Sequence, residues 1–174
     1  MTPLWLLDVD GVLNAVNHLS TLRELEEGTH WPDFKLGAAR GYDIIWSPSL
    51  VERISALHTD GHVEVRWLTT WEEHAQTEIA PMLGLPHFEL AGKREYEGAG
   101  WWKLPIAQRA VGLERPFVWT DDDLTESAGA FEWMRHRHET SGGKACAVTP
   151  KWDLGISPKQ LALIEQFIGD QSCV

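Results

Sequence analysis

Apolar residues follow two different periods along the chain. Short, continuous apolar runs predict buried strands, and these runs are PLWLLD at 3–8, VEVRWLT at 63–69, PFVW at 116–119 and KACAVT at 144–149. Between them, apolar residues recur at helical spacing, which predicts helices at 47–61, 71–84, about 105–112, about 125–136 and 157–168. Strands that alternate with helices indicate an α/β fold with a doubly wound, mainly parallel sheet and helices on both faces.

Several helix boundaries carry their own signals. Ser157 is a good N-cap residue, and Pro105 is typical of the first turn of a helix. The helix predicted over 71–84 opens with Glu72 and Glu73, whose charges favour a first turn. We therefore expect these segments to be helical from their first residues.

Residues 14–46 interrupt the alternation, because they contain no convincing long helix. Within them, FKLGAARGYDIIW at 34–46 predicts two short strands around a glycine-containing turn, which we interpret as a hairpin flap. No repeat or Pro/Gly/Ser-rich linker divides the sequence, so we expect one domain over 1–174. The space between Asp10 and the helix predicted at 47–61 is too short for a large cap domain, and so is the region between Thr69 and Lys103.

Composition narrows the classes of partner. The formal net charge of −11 disfavours broad, nonspecific binding to nucleic acid or to anionic membranes. The absence of a long apolar run and of a signal-peptide pattern leads us to expect a cytoplasmic protein that does not enter a membrane. Cys146 and Cys173 are too few for a disulfide framework. The ten Trp residues are expected to fill the core, with a ligand-stacking surface as the alternative.

Acidic side chains follow two of the predicted strands directly. Asp8 and Asp10 follow the first strand, and the run Asp121, Asp122 and Asp123 follows the third. In parallel sheets the carboxyl ends of the strands share one edge, so we expect these acids to meet. Carboxylates about 5 Å apart repel by about 3 kcal/mol per pair at an effective dielectric constant near 20, and the cluster therefore needs a cation. Oxygen ligands without Cys or His favour Mg²⁺.

The order of these residues resembles the haloacid dehalogenase (HAD) superfamily. DVDGV resembles its first motif, two acids spaced by one residue, and Thr69 at the end of RWLT resembles the second. Lys103 in WWKLP resembles the third motif, and VWTDDD resembles the fourth. The resemblance runs from about residue 4 to about residue 124. Within the superfamily, the sequence is similar to a branch of compact, small-cap, phosphatase-like domains, some of which are associated with nucleic-acid repair.

The resemblance implies a phosphatase that works through an aspartyl-phosphate. Asp8 is then the nucleophile and a metal ligand, and Asp10 is the general acid and base, with its backbone carbonyl as a metal ligand. Thr69 positions the phosphoryl group, Lys103 neutralises charge, and Asp122 with Asp121 completes a Mg²⁺ site. The expected substrate is a phosphate monoester, either a small ester or a nucleic-acid end.

Some alternatives stay open at this point. Thr70 competes with Thr69, Lys93 competes with Lys103, and the sequence leaves open which of Asp121 and Asp122 is the main ligand. Arg40 in the flap is placed near a phosphate-bearing substrate or is merely solubilising. A phospho-Asp signalling module and a catalytically silent scaffold are the rival functions. The oligomeric state and the physiological substrate are not indicated.

Overall fold

The computed structural model of the chain describes residues 1–25, 29–94 and 101–172. Its strands are β1 (Leu4–Leu7), β2 (Lys35–Ala39), β3 (Tyr42–Trp46), β4 (Glu64–Trp67), β5 (Glu89–Leu90), β6 (Phe117–Thr120) and β7 (Ala145–Val148). Its α-helices are α1 (Leu19–Arg23), α2 (Pro48–Thr59), α3 (Ala80–Leu83), α4 (Lys103–Val111), α5 (Ala128–Thr140) and α6 (Pro158–Ser172), and a π-helical turn at Ala75–Ile79 precedes α3.

The five strands other than the hairpin form one parallel sheet in the order β5-β4-β1-β6-β7. The chain runs outward from β1 through β4 to β5 and then crosses to β6 on the opposite side of β1. Strand order therefore reverses around β1, which is where open α/β sheets place their ligands. The predicted doubly wound fold is confirmed.

Both faces of the sheet are covered, which explains why β1 is continuously apolar and has all four residues buried. Trp5 and Leu7 pack on one face, with apolar residues of α2 and α6. Leu4 and Leu6 pack on the other face, with apolar residues of α4 and α5. The alternation along one strand thus divides the core into two layers.

The predicted hairpin is present and is fastened to the loop after β1. β2 and β3 pair antiparallel around a turn at Arg40 and Gly41, both of which have positive φ. The backbone N–H of Ala15 donates to the carbonyl of Ile45 over 2.8 Å, and the N–H of Ile45 donates to the Asn14 side chain over 2.8 Å. Its base is therefore part of the core, while its tip reaches outward.

The helix predicted over 71–84 is present but starts late and is irregular. The chain is helical from Glu73 and forms a π-helical turn at Ala75–Ile79, and Glu72 lies before the helix with a φ of 47°. Pro81 lacks an N–H, so an unbroken α-helical ladder cannot pass through it, and the turn before it widens instead. Gly84 ends α3, as predicted.

Other boundaries shift by a few residues. α4 begins at Lys103, two residues before Pro105, and Pro105 is accommodated in its first turn. The helix predicted from about 125 to 136 is found at Ala128–Thr140. The sequence patterns did not indicate α1 or β5, which have five and two residues.

The tryptophans are mainly core residues. Trp5, Trp31, Trp46, Trp67, Trp71 and Trp119 are buried, while Trp152 is 59% exposed. Cys146 is half-buried in β7, and Cys173 lies outside the described residues. None of the helices in the described ranges has the length and apolar character that a membrane crossing requires.

One buried hydrogen bond joins β1 to the end of β6. The indole N–H of Trp5 donates to the Thr120 hydroxyl over 2.9 Å, and both side chains are fully buried. Thr120 immediately precedes Asp121, so this bond fixes the point at which β6 delivers its acidic residues. Leaving the indole N–H without a partner costs the full desolvation of that group.

We predict that Thr120→Val lowers the free energy of unfolding by about 1–3 kcal/mol, because the valine fits the strand but cannot accept the indole hydrogen bond. Urea unfolding measures the change. The double variant Trp5→Phe/Thr120→Val completes a cycle, in which the two losses should be clearly less than additive. Additive losses would show that the hydrogen bond contributes nothing.

Candidate active site

The predicted acids meet at the carboxyl edge of the sheet. β1 and β6 are adjacent and parallel, with Leu7 level with Thr120, so the residues that follow them emerge side by side. Asp8, Asp121 and Asp122 each offer a carboxylate oxygen, and these oxygens all lie within 4.8 Å of one another. Asp8 and Asp121 are buried and Asp122 is half-buried. This group is called the carboxylate cluster below.

Lys103 supplies a positive charge inside this cluster. Its ammonium group donates to Oδ2 of Asp8 and, over 2.7 Å, to Oδ2 of Asp121. Its side chain is 4% exposed, and its position as the first residue of α4 directs it toward the sheet edge. Lys93, the alternative considered from the sequence, instead pairs with Glu73 at the surface over 2.5 Å.

Burial shifts the pKa values of Lys103, Asp121 and Asp122. It lowers the pKa of Lys103, but the charges of Asp8 and Asp121 outweigh it and hold that pKa above its ordinary value. Burial, followed by the charge of Asp8, raises the pKa of Asp121 well above its ordinary value although Lys103 opposes the rise. Burial, followed by the charges of Asp123 and Asp8, raises the pKa of Asp122 to about 6. One ammonium therefore does not neutralise this cluster.

The glycine after the acid pair is required by the cluster itself. Gly11 has a φ of 68°, and a Cβ built there would lie 2.4 Å from Cγ of Asp122. Any side chain at this position would push Asp122 out of the group. The DVDG pattern thus supplies two acids, and its glycine leaves the space that Asp122 occupies.

Asp10 stands apart from the three clustered carboxylates. Its Oδ1 accepts from the Asn14 amide over 2.8 Å, and its Oδ2 accepts from the Trp71 indole N–H, also over 2.8 Å. Among the described acidic side chains, that of Asp10 does not join the metal-compatible group. If Asp10 contributes to a metal site, it does so through the backbone carbonyl rather than the carboxylate.

Sequence reasoning did not identify Asn14 and Trp71 as site residues. Asn14 also accepts from the backbone of Ile45, so one side chain connects the hairpin to Asp10. The spacing of four residues between Asp10 and Asn14 in DGVLN was an available signal. Trp71, two residues after Thr69, had no comparable signal, because a tryptophan next to a strand is usually a core residue.

The two threonines after β4 have different environments. Thr69 is buried, and its hydroxyl accepts from the backbone N–H of Trp71 over 3.3 Å. Thr70 is exposed and lines the cleft next to Asp10. Thr69 therefore lies at the sheet edge with the carboxylates, whereas Thr70 faces the open side.

A comparison with protein-family models matches residues 4–159 to the HAD domain in Swiss Army Knife RNA repair proteins. The chain belongs to this family. No curated protein and no solved structure matches it. The match covers all four motifs and extends beyond the stretch on which the sequence resemblance was based.

Membership supports a HAD-type hydrolase in general terms, and HAD domains generally use Mg²⁺. The donor set of this HAD domain fits that ion, because it consists of hard carboxylate oxygens without a sulfur or imidazole ligand among the clustered residues. The cleared space at Gly11 lets Asp122 approach the other two acids. Asp8, Asp121 and Asp122 are therefore the side chains that can hold Mg²⁺.

We predict that Mg²⁺ raises the melting temperature of this HAD domain more at pH 8 than at pH 5. The pKa of Asp122 rises from 3.8 to about 6 on folding, so its ionisation destabilises the metal-free fold increasingly between those values and fully above them. A cation bound to ionised carboxylates offsets this loss. Thermal denaturation with and without MgCl₂ at both pH values measures the effect.

Two variants sharpen this measurement. Asp122→Asn should abolish most of the Mg²⁺-dependent shift, whereas Asp60→Asn, at the exposed end of α2, should retain it. Gly11→Ala should also lose the shift, because its Cβ displaces Asp122. A shift that is equal at the two pH values, or that survives in Asp122→Asn, would contradict the assignment.

Proposed function

We propose that this HAD domain is a Mg²⁺-dependent phosphohydrolase that transfers the phosphoryl group of a phosphate monoester to Asp8 and then to water. The observation that carries the proposal is the position of the Lys103 ammonium between Asp8 and Asp121, with Asp122 beside them. A buried carboxylate that is held next to positive charge is suited to approach an anionic phosphoryl group.

The first step follows from the two aspartates of the first motif. An oxygen of Asp8 attacks phosphorus, the bond from phosphorus to the leaving oxygen breaks, and Asp10 gives that oxygen a proton. Lys103 balances charge on the phosphoryl oxygens, and Thr69 positions the group, with Thr70 as the alternative. Asp8, Asp121 and Asp122 are the residues that would hold Mg²⁺, which would supply further positive charge to the phosphoryl group.

The second step uses Asp10 in the opposite direction. Asp10 takes a proton from a water molecule, the water oxygen attacks the phosphorus of the aspartyl-phosphate, and the bond to Asp8 breaks to release phosphate. The separate placement of Asp10, held by Asn14 and Trp71 and outside the carboxylate cluster, supports this distinct role. The same placement favours prompt turnover over a long-lived phospho-Asp signal.

We further propose that the phosphate lies at an RNA end, because the matching family is described by its occurrence in RNA repair proteins. The described residues contain no large domain inserted over this edge of the sheet, which leaves space for such a bulky substrate. The net charge of −11 limits the way in which RNA is held, since a negative protein attracts a polyanion only locally.

We predict that Asp8→Asn lowers Mg²⁺-dependent release of phosphate from p-nitrophenyl phosphate by roughly 1,000-fold or more, because the amide is a poor nucleophile. An acid quench with phosphorus-labelled substrate should trap label on the wild-type protein and none on the variant. Asp60→Asn serves as the matched control and should behave as wild type. Unchanged activity in a folded Asp8→Asn protein would rule out this nucleophile.

We also predict that Trp71→Phe slows phosphoenzyme formation from an alkyl phosphate by about ten-fold, but slows it much less with p-nitrophenyl phosphate. Losing the indole N–H leaves Asp10 poorly held, and proton donation matters most for a poor leaving group. Single-turnover rates with the two esters give the ratio. Equal losses for both esters would show that Trp71 does not act through Asp10.

A further inference from the structure

A cleft of about 730 Å³ opens beside Asp10. Three segments form it: the loop after β1, the tip of the β2–β3 hairpin and the loop after β4. Their lining residues include Asn17, Arg40, Tyr42 and Trp71. Because Asp10 is the proposed donor to the leaving oxygen, the part of the substrate that leaves must lie in this cleft. The inference below therefore rests on the proposed function.

The hairpin tip presents an aromatic ring to the cleft. Tyr42 is 67% exposed, and its ring centre lies 6.1 Å from that of Trp71 in an edge-to-face arrangement. Trp71 in turn donates its N–H to Asp10. The exposed Tyr42 ring therefore packs on a buried Trp, and that Trp contacts the proposed catalytic acid. Such a ring can serve as a stacking platform for a planar group.

The tip is held in place at an energetic cost. Arg40 has a φ of 52°, a conformation that a non-glycine residue rarely adopts, and its guanidinium pairs with Glu78 over 3.2 Å. This ion pair joins the tip of the hairpin to the π-helical turn. Tyr42 is thus supported on a fixed turn rather than on a free loop.

The charges in the cleft argue against a long polyanion. Among the described residues that line it, Asp10 and Asp43 are acidic, and Arg40 is the one permanent cation. Since Arg40 already pairs with Glu78, no row of cations is available to follow a series of phosphates. The carboxylate of Asp43 is suited to accept from hydroxyl and amino groups, whereas the amides of Asn14 and Asn17 already hydrogen-bond within the chain.

We propose that the cleft binds the nucleoside of one nucleotide, with its base stacked on Tyr42 and its phosphate at Asp8. The nucleotide is either free or the last one of a nucleic-acid strand, and the rest of such a strand stays outside the cleft. Recognition therefore depends on a base and a sugar and not on a run of phosphates.

The test compares phosphate esters that differ only in the base. Adenosine 5′- and 3′-monophosphates are each compared with the matching ribose phosphate, and kcat/KM is measured in Mg²⁺. Wild type should prefer the nucleotide by roughly ten-fold or more, which is the range of one stacked base. Tyr42→Ala should remove this preference, because it lowers kcat/KM on the nucleotide by about ten-fold more than on the ribose phosphate, and Tyr42→Phe should keep the preference.

Leu36→Ala is the matched control. Leu36 is 51% exposed on the same hairpin but does not line the cleft, so its loss should leave the nucleotide preference intact. No preference in wild type, or an equal fall on both esters in Tyr42→Ala, would overturn the nucleoside assignment.

A binding measurement separates this inference from the proposed function. Adenosine monophosphate is titrated into Asp8→Asn and Asp8→Asn/Tyr42→Ala by calorimetry. Binding that requires Tyr42 supports the cleft even if wild type releases no phosphate, in which case the proposed function alone fails. Hydrolysis of simple esters without Tyr42-dependent binding overturns the cleft assignment alone.

Substrate length identifies the source of the nucleotide. Similar kcat/KM for the free nucleotide and for an oligonucleotide with the same phosphorylated end supports a site that recognises one nucleotide from either source. Activity on only one of them, with the Tyr42 dependence retained, identifies that source. A steep gain with each added nucleotide, together with a strong salt dependence, would overturn the proposal in favour of a surface that binds the strand.

Discussion

The ammonium of Lys103, buried between Asp8 and Asp121, is the interaction on which the site depends. Burying a charge is costly unless a partner lies next to it, and removing one partner leaves the other uncompensated. Here one cation faces three clustered carboxylates, so negative charge remains in excess at the sheet edge. Burial, followed by the charges of Asp123 and Asp8, raises the pKa of Asp122, and the excess of negative charge makes the edge receptive to a divalent ion. The same imbalance that weakens the metal-free fold therefore prepares the site for its ligand.

The parallel sheet is what brings these charges together. Asp8 and Asp121 lie 113 positions apart in the chain but follow adjacent strands in matching register. This part of the site could be predicted from sequence, because continuous apolar runs identify buried strands and the acids follow them directly. The hairpin was predictable for a similar reason, since its alternating strands flank an Arg-Gly turn. Local patterns are sufficient wherever a residue's role is determined by its position on a regular element.

The remaining features depend on contacts that local patterns do not encode. The π-helical turn arises from Pro81 acting within a helix that the surrounding apolar residues alone would make regular. β5 consists of two residues that pair with β4, and two residues are too few to form a recognisable strand pattern in the sequence. The sequence around Trp71 is typical of a core residue, and Trp71 is in fact only 9% exposed. Its indole N–H nevertheless donates a hydrogen bond to Asp10. A residue with both roles is recognised only when its partner's position is known. The choice between Thr69 and Thr70 was open for the same reason.

Asn14 joins the first acidic motif to the base of the hairpin, because its amide holds Asp10 while its oxygen accepts from Ile45. The base of the hairpin is consequently held in position relative to Asp10, whereas the tip at Arg40 and Gly41 makes no hydrogen bond to Asp10. Lengthening or re-sequencing the tip would change the shape presented to an incoming molecule without moving the proton-transferring carboxylate. Relatives of this domain would then be free to diversify in what they accept through a handful of positions, while Ile45 and Asn14 stay in a fixed spatial relation.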